Sequence, residues 1–199
     1  MKILVVGASG TLGRAVAQHL GERHQVITAG RNSGEHRVDL RDDASVGALF
    51  AATGRLDAIV SAAGSVHFGP LDRMTAAQFD TGLQDKLLGQ VRLALIGQHH
   101  LHDGGSITLT TGILAEQPIR QSANATAVNA AVEGFVRAAA CELSRGLRIN
   151  AVSPTVFSEA WDAYADFFPG FEPVSAARAA LAFQRSIEGV QTGQVYKVW

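Results

Sequence analysis

Cysteine is nearly absent from this 199-residue chain: Cys141 is the one example. A single cysteine excludes an internal disulfide and fits a reducing, cytoplasmic setting. Its surroundings, AAACEL, are apolar and helix-favouring, so inert packing explains it better than a reactive thiol. Net charge is also lacking. Seventeen Lys and Arg against eighteen Asp and Glu leave −1, with no basic field for nucleic acid and no basic tail for an anionic membrane. Long apolar runs are missing too. The run inside MKILVVGASG is too short for a signal-peptide core or a bilayer span and reads as a buried strand. No Pro/Ser-rich linker or internal repeat divides the chain. Tyrosine is scarce, with Tyr164 and Tyr196 alone, so chemistry that needs a phenol has two places to find one.

What is present is a regular alternation. The chain is 47% hydrophobic and 18% charged, with 21 glycines, which fits one globular domain over residues 1–199. Strands are expected at KILVV (2–6), QVITA (25–29), HRVDL (36–40), DAIVSAA (57–63), GSITLTT (105–111), LRINAVS (147–153) and QVYKV (194–198). Helices are expected over Thr11–Glu22, Ala44–Ala52, Thr75–His100, Ala125–Ser144 and Ser175–Glu188, with Thr75 as an N-cap. Strands alternating with helices predict an α/β protein, a Rossmann-type doubly wound parallel sheet of about seven strands. One connection strains the pattern. Some seven residues separate strands two and three, where a parallel crossover takes a dozen or more, so the helix expected there is missing or replaced by a loop.

The segment Gly7-Ala8-Ser9-Gly10-Thr11-Leu12-Gly13 follows a strand and opens a helix. In that context Gly7 allows the tight turn, Gly10 a close approach to a pyrophosphate, and Gly13 close helix–strand packing. Ser9, Thr11 and Leu12 share the turn, whose helix N-terminus favours an anion. After strand two come Gly30-Arg31-Asn32-Ser33, with no carboxylate before Glu35. An acidic residue there would bind the 2′-hydroxyl of NAD. Arg31 offers a planar fork to a 2′-phosphate, with Asn32 and Ser33 beside it, which favours NADP(H) over NAD(H). The plain alternative for Arg31 is a solvated loop charge.

The run ATAVNAAVEGFVRAAACELSRGLRINAVSPT resembles the catalytic-helix region of short-chain dehydrogenases/reductases. The resemblance extends from the Gly-rich turn to TGQV (192–195). It implies cofactor contacts from Asp39-Leu40, from Ala62-Ala63-Gly64 in Ser61-Ala62-Ala63-Gly64 (where the family has Asn-Asn-Ala-Gly), from Thr110, and from Pro154-Thr155. A strand-end cap is an equal reading of Asp39. The family's Ser-Tyr-Lys machinery and its supporting Asn are all replaced. Ala125 stands at the Tyr position, Asn129 at the Lys position, Gly112 at the Ser position and Lys86 at the Asn position. Lys86 and Asn129 therefore look like an exchanged amine–amide pair, with a surface lysine as the competing reading. Thr111, ending strand five, is the candidate to touch a substrate oxygen. Tyr164, Glu159, Glu116 or a water is left to move a proton, although polar residues at a cleft mouth need no such role. Phe157, Trp161, Phe167, Phe168 and Phe171 form an aromatic cluster, read first as packing and second as a lining for an apolar substrate. His67 reads as a loop residue at the cleft mouth, and His99-His100-x-His102 as a helix end rather than a metal site.

These features predict an NADP(H)-binding oxidoreductase that moves a hydride between a carbonyl and an alcohol with a non-standard proton donor. The competing readings are a non-redox enzyme, or a catalytically silent NADP(H)-binding sensor, on the same scaffold. The resemblance also implies a homodimer or homotetramer through the helices at 75–100 and 125–144, where Ala130, Ala131, Gly134, Ala138 and Ala139 permit close approach.

Overall fold

Alternate residues of the first strand feed opposite sides of a sheet. In β1 (Lys2–Val6), Leu4 and Val6 enter one apolar cluster, Ile3 and Val5 the other, and all four are buried. A strand covered on both faces is apolar at successive positions, which is why Ile3–Val6 shows no alternation. The structure, a computed structural model, describes residues 1–199. Its seven strands run parallel in the order β3-β2-β1-β4-β5-β6-β7. The others are β2 (Gln25–Gly30), β3 (His36–Arg37), β4 (Leu56–Ser61), β5 (Leu101–Thr110), β6 (Arg148–Pro154) and β7 (Val195–Val198).

Helices α1 (Thr11–Gly21) and α7 (Ala176–Glu188) cover one face through Leu12, Val16, Leu20, Ala180, Phe183 and Ile187. Helices α2 (Asp43–Thr53), α4 (Gly89–Gly97) and α5 (Ala123–Glu142) cover the other through Val46, Phe50, Leu93, Val132 and Val136. The strand order reverses at β1 and β4. The crevice beyond their carboxyl ends is where such sheets bind ligands.

The expected helix between β2 and β3 is absent. Residues 31–35 form a tight loop instead. Gly34 holds φ +93° because a Cβ there would meet the Thr28 carbonyl at 2.9 Å. The Glu35 carboxylate accepts hydrogen bonds from Thr28 N at 3.0 Å and Thr28 Oγ1 at 3.2 Å. So short a link suffices because β3 is two residues long rather than five. Val38 and Leu40 leave the sheet and fill the core.

The expected long helix at 75–100 is helical throughout but irregular. Thr75 caps α3 (Ala76–Gly82) in a capping box with Gln78. A π turn then occupies Leu83–Leu88 before α4 begins, and a 3₁₀ turn, Gln98–His100, ends the run. Strand β5 starts at Leu101, four residues earlier than expected, with an irregular register against Leu56–Ala58. No helix is long and apolar enough to cross a membrane.

Candidate active site

The Gly-rich turn is a cradle with no room for side chains. Gly7 has φ +87°, and a Cβ on it would lie 2.7 Å from the Ala62 carbonyl. A Cβ on Gly13 would fall 2.1 Å from Gly7 O. Gly10 caps α1 and no side chain occupies the helix end, so the first-turn amides face the crevice. Thr11 opens the helix behind it.

Two adjoining cavities extend from this cradle. The first, about 240 Å³, is lined by Gly7, Ser9, Arg31, Asn32, Ser33, Leu40, Ala63 and Gly64, with Asp85 from the π turn. The second, about 330 Å³, is lined by Leu12, Ala62, Lys86, Thr110, Thr111, Asn129, Pro154, Thr155 and Tyr164, with an apolar wall. Many of the residues singled out in the sequence thus line one or the other of these cavities.

Asp39 is a correction. It lines neither cavity. Its carboxylate accepts from Arg41 N, Nε and Nη2 at 3.0, 3.2 and 3.0 Å. The Arg41 hydrogen bonds hold it down at about 2. The carboxylate brackets a neighbouring arginine, one residue before Leu40 in the wall of the first cavity. Arg31 is half exposed and pairs with Asp85 at 3.0 Å and Asp39 at 3.7 Å, so its guanidinium is held at the rim of the first cavity rather than loose in solvent.

Lys86 is not a surface residue. A Cβ on Gly64, whose φ is +127°, would touch the Lys86 stem at 2.8 Å, so a glycine there lets the π turn come close. The Lys86 Nζ donates to Thr111 O at 3.3 Å. The residue is partly buried along the cleft, and burial lowers its pKa from 10.5 to about 8. Asn129 stands in the same cleft. Its Oδ1 is buried without a partner, as is Thr155 Oγ1. No hydrogen bond joins Lys86 to Asn129. They share a cavity rather than forming a pair.

Thr111 is the second correction. Its hydroxyl turns away from the cleft and donates to Glu133 Oε1 at 3.2 Å, and the Thr111 side chain is buried. What Thr111 offers the cleft is its backbone carbonyl, the acceptor for Lys86. Burial pushes the Glu133 carboxyl up. Two alternative proton donors are also committed elsewhere. Glu159 accepts from Ala176 N at 3.0 Å at the start of α7, and Glu116 pairs with Lys197 at 2.6 Å. Tyr164, on the four-residue α6 (Trp161–Tyr164), lines the cleft and is 44% exposed. Ala125 is buried in an apolar cluster with Ile113, Leu114 and Phe168.

The aromatic cluster divides. Phe157 and Phe168 line the cleft, Phe171 meets Phe168 edge to face at 5.4 Å, and Phe167 faces outward. His67 donates through its backbone to Asn124 Oδ1 at 2.9 Å and does not line the cleft. His100 stacks on Phe50 at 5.1 Å, and no three His, Cys, Asp or Glu side chains converge as metal ligands would.

Sequence reasoning missed Gln90. It is fully buried, accepts from Thr110 N at 2.8 Å and donates to Thr110 O at 2.9 Å. Thr110 Oγ1 in turn donates to Ser61 O at 2.5 Å. Gln90 thus ties α4 to β5, and the Thr110–Ser61 bond ties β5 to β4. Its signal was available: Gln90 lies four residues beyond Lys86 on a helix already assigned to the site.

A glycine-cradled crevice at the reversal of a doubly wound parallel sheet defines a dinucleotide-binding protein of the Rossmann type. The family model described as enoyl-(acyl carrier protein) reductase matches residues 7–196. The chain belongs to the short-chain dehydrogenase/reductase family of oxidoreductases. It is 49% identical to the protein lin1944 from Listeria innocua, with a TM-score of 0.98 over 100% of both chains. It is 28% identical to a small-chain dehydrogenase solved in complex with NADPH, with a TM-score of 0.88 over 100% of this chain and 96% of that one. Versicolorin reductase 1 of Aspergillus parasiticus is 29% identical over 176 residues, which are 76% of this chain and 67% of that protein. Among curated reductases that it matches, the chain spans 55 to 74% of their length.

Proposed function

We propose that the protein binds NADP(H) and interconverts a carbonyl and an alcohol, with Lys86 in place of the missing phenol. The observation that carries this reading is the Lys86 ammonium in the same cleft as two buried, unpartnered oxygens, Asn129 Oδ1 and Thr155 Oγ1. Unpartnered buried polar atoms are costly and call for a ligand. The cradle at Gly7 and Gly13 fits a pyrophosphate, and the Arg31–Asn32–Ser33 rim fits a 2′-phosphate. The solved neighbour that holds NADPH supports the same assignment.

When bound, the cofactor supplies the hydride. Asn129 and Thr155 would hold the ribose and carboxamide end, and the apolar wall would exclude water. Lys86 would hold its ammonium N–H at the substrate oxygen and give that oxygen a proton as negative charge develops on it, leaving a neutral amine that is reprotonated from solvent. A group at about pKa 8 is well placed to exchange a proton near neutral pH. Reduction needs the ammonium, so its rate should fall as pH rises through about 8. Oxidation needs the amine and should rise over the same range.

The apolar setting of Ala125 favours the second reading, a binder without turnover. Titration with NADPH and NADH, followed by a carbonyl screen against wild type and Lys86→Met, separates the two. NADPH binding with Lys86-dependent turnover supports the enzyme. NADPH binding without turnover supports the sensor. No nucleotide binding removes both.

The oligomer belongs to the same proposal. Ala130, Ala131, Gly134 and Ala138 form an exposed small-residue face on α5, with Leu88 and Leu95 exposed on the preceding helix. Light scattering on the purified protein would show a dimer or tetramer, and a monomer would refute it.

A further inference from the structure

Four charged side chains form a ring at the rim of the first cavity. Arg31 Nη2 lies 3.0 Å from Asp85 Oδ1 and 3.7 Å from Asp39 Oδ1. Arg41 closes the ring, 3.0 Å from Asp39 Oδ2 and 3.6 Å from Asp85 Oδ1. Two cations and two anions leave no net charge. The members are not equivalent. Both arginines are half exposed, while the Asp85 side chain is 14% exposed and supplies the one carboxylate in the wall of the cavity. Asp39 is taken up by three hydrogen bonds from Arg41 and stands outside that wall. Glu35, the first carboxylate after β2, is turned onto Thr28. The acidic group missing from the end of β2 thus arrives from the π turn, 54 residues beyond Arg31.

A carboxylate in that wall has opposite consequences for the two nicotinamide nucleotides. A 2′-phosphate brings close to two negative charges and is matched to the Arg31 fork, which Asp85 already engages. It has to share or displace that contact beside a negative charge on the same guanidinium. A ribose with a free 2′-hydroxyl needs an acceptor instead, and a carboxylate is one. We propose that Asp85 is a specificity-determining residue of the nucleotide site: it competes with a 2′-phosphate for Arg31 and accepts the 2′-hydroxyl of NADH, so that the chain binds both nucleotides with a narrow preference for NADPH. This rests on the NADP(H)-binding reading above and adds to it the residue that limits the selectivity. Arg31 and Asp85 pull the same cavity in opposite directions, one from the β2–β3 loop and the other from the π turn.

The test titrates NADPH and NADH, read by fluorescence, into wild type, Asp85→Asn and Asp85→Ser, at low ionic strength and in about 0.5 M NaCl. Wild type should bind both nucleotides, with NADH weaker by less than about a hundredfold. Asp85→Asn keeps the shape of the side chain and removes its charge. At low ionic strength it should bind NADPH about tenfold more tightly, and the gain should shrink to about twofold in the salt. NADH should bind the same variant about threefold more weakly, because a neutral amide is a poorer acceptor. Asp85→Ser should show the same two signs and keeps the test alive if Asp85→Asn does not fold. A carboxylate that merely props Arg31 in place would give the reverse sign, with NADPH weakened in both variants, and that result overturns the proposal. So does an NADPH affinity that ignores the substitutions, a gain that ignores salt, or NADH bound by the variants as well as by wild type. Wild type that binds NADPH but takes NADH more than about a hundredfold less well also overturns this proposal alone. Wild type that binds neither nucleotide overturns the parent reading and this one with it.

Discussion

Replacing Lys86 by Met should make the protein more stable and nearly inactive. Lys86 is partly buried, the one protein partner of its Nζ is the Thr111 carbonyl at 3.3 Å, and no carboxylate pairs with it. A fall in pKa from 10.5 to about 8 is worth about 3 kcal/mol at ~1.4 kcal/mol per tenfold change in proton affinity. The stem keeps contact with the open side of the cleft, which brings the expected penalty to about 2 kcal/mol. Losing the hydrogen bond to Thr111 returns about 1 kcal/mol, so Lys86→Met should gain roughly 1 kcal/mol at neutral pH. The sign follows from linkage. Below about 8 both folded and unfolded chains carry the proton and the penalty is complete. Between about 8 and 10.5 the folded chain has released it while the unfolded chain holds it, and the penalty shrinks. Wild-type stability should therefore rise with pH across that window, while the variant's should not. Urea unfolding of both proteins at about pH 7 and about pH 9.5, without nucleotide, reads the difference, which should narrow by more than half. Carbonyl reduction by the variant should fall by about a hundredfold or more. A variant that is less stable than wild type at neutral pH, or a gap that ignores pH, refutes the buried-ammonium argument.

Arg31→Ala should weaken NADPH by about tenfold or more while changing NADH little, because it removes a charge-assisted contact that only the 2′-phosphate can use; equal loss for both nucleotides in a fluorescence titration would place Arg31 elsewhere. Gln90→Leu should cost about 2 to 3 kcal/mol in urea unfolding, since it leaves both Thr110 N and O buried and unpaired. Hydrogen bonds from Gln184 and His24, with Arg23 beside them, hold the Glu188 carboxyl down at about 2 from 4.5. That stability is present above 4.5 and is lost as pH falls towards about 2. A Glu188→Gln chain should therefore lose less stability than wild type over that acid range.

The fold was legible because two-sided burial leaves a plain mark. The run ILVV (3–6) is apolar at successive positions because both faces of β1 are covered, and the Gly7–Gly13 turn falls between a strand and a helix. Boundaries were less legible where tertiary contacts set them. Val38 and Leu40 carry a strand's alternation, yet they turn into the core. Their strand ends at Arg37 because the residue 31–35 loop can bring the chain alongside β2 for only two residues. Asp39 and Thr111 have side-chain partners within hydrogen-bond reach, Arg41 and Glu133, that no spacing rule weighs against a ligand.

Lys86 was undecidable from sequence for a different reason, and the reason bears on how the site works. On a regular helix neighbouring residues diverge by about 100°, so periodicity alone does not say which of Asp85 and Lys86 faces the sheet's crevice. The structure puts both in a π turn at Leu83–Leu88, with Asp85 on Arg31 at the first cavity and Lys86 on Thr111 at the second. No Gly or Pro announces the turn at its centre. It is held from outside, by Gly64 against the Lys86 stem and by Gln90 locked onto Thr110 one turn later. A π turn is costly in a free helix and persists where packing enforces it. Its position lets one short segment line both cavities, with Asp85 in the wall of the first and Lys86 in the wall of the second, so packing rather than helical periodicity decides where the two charges go.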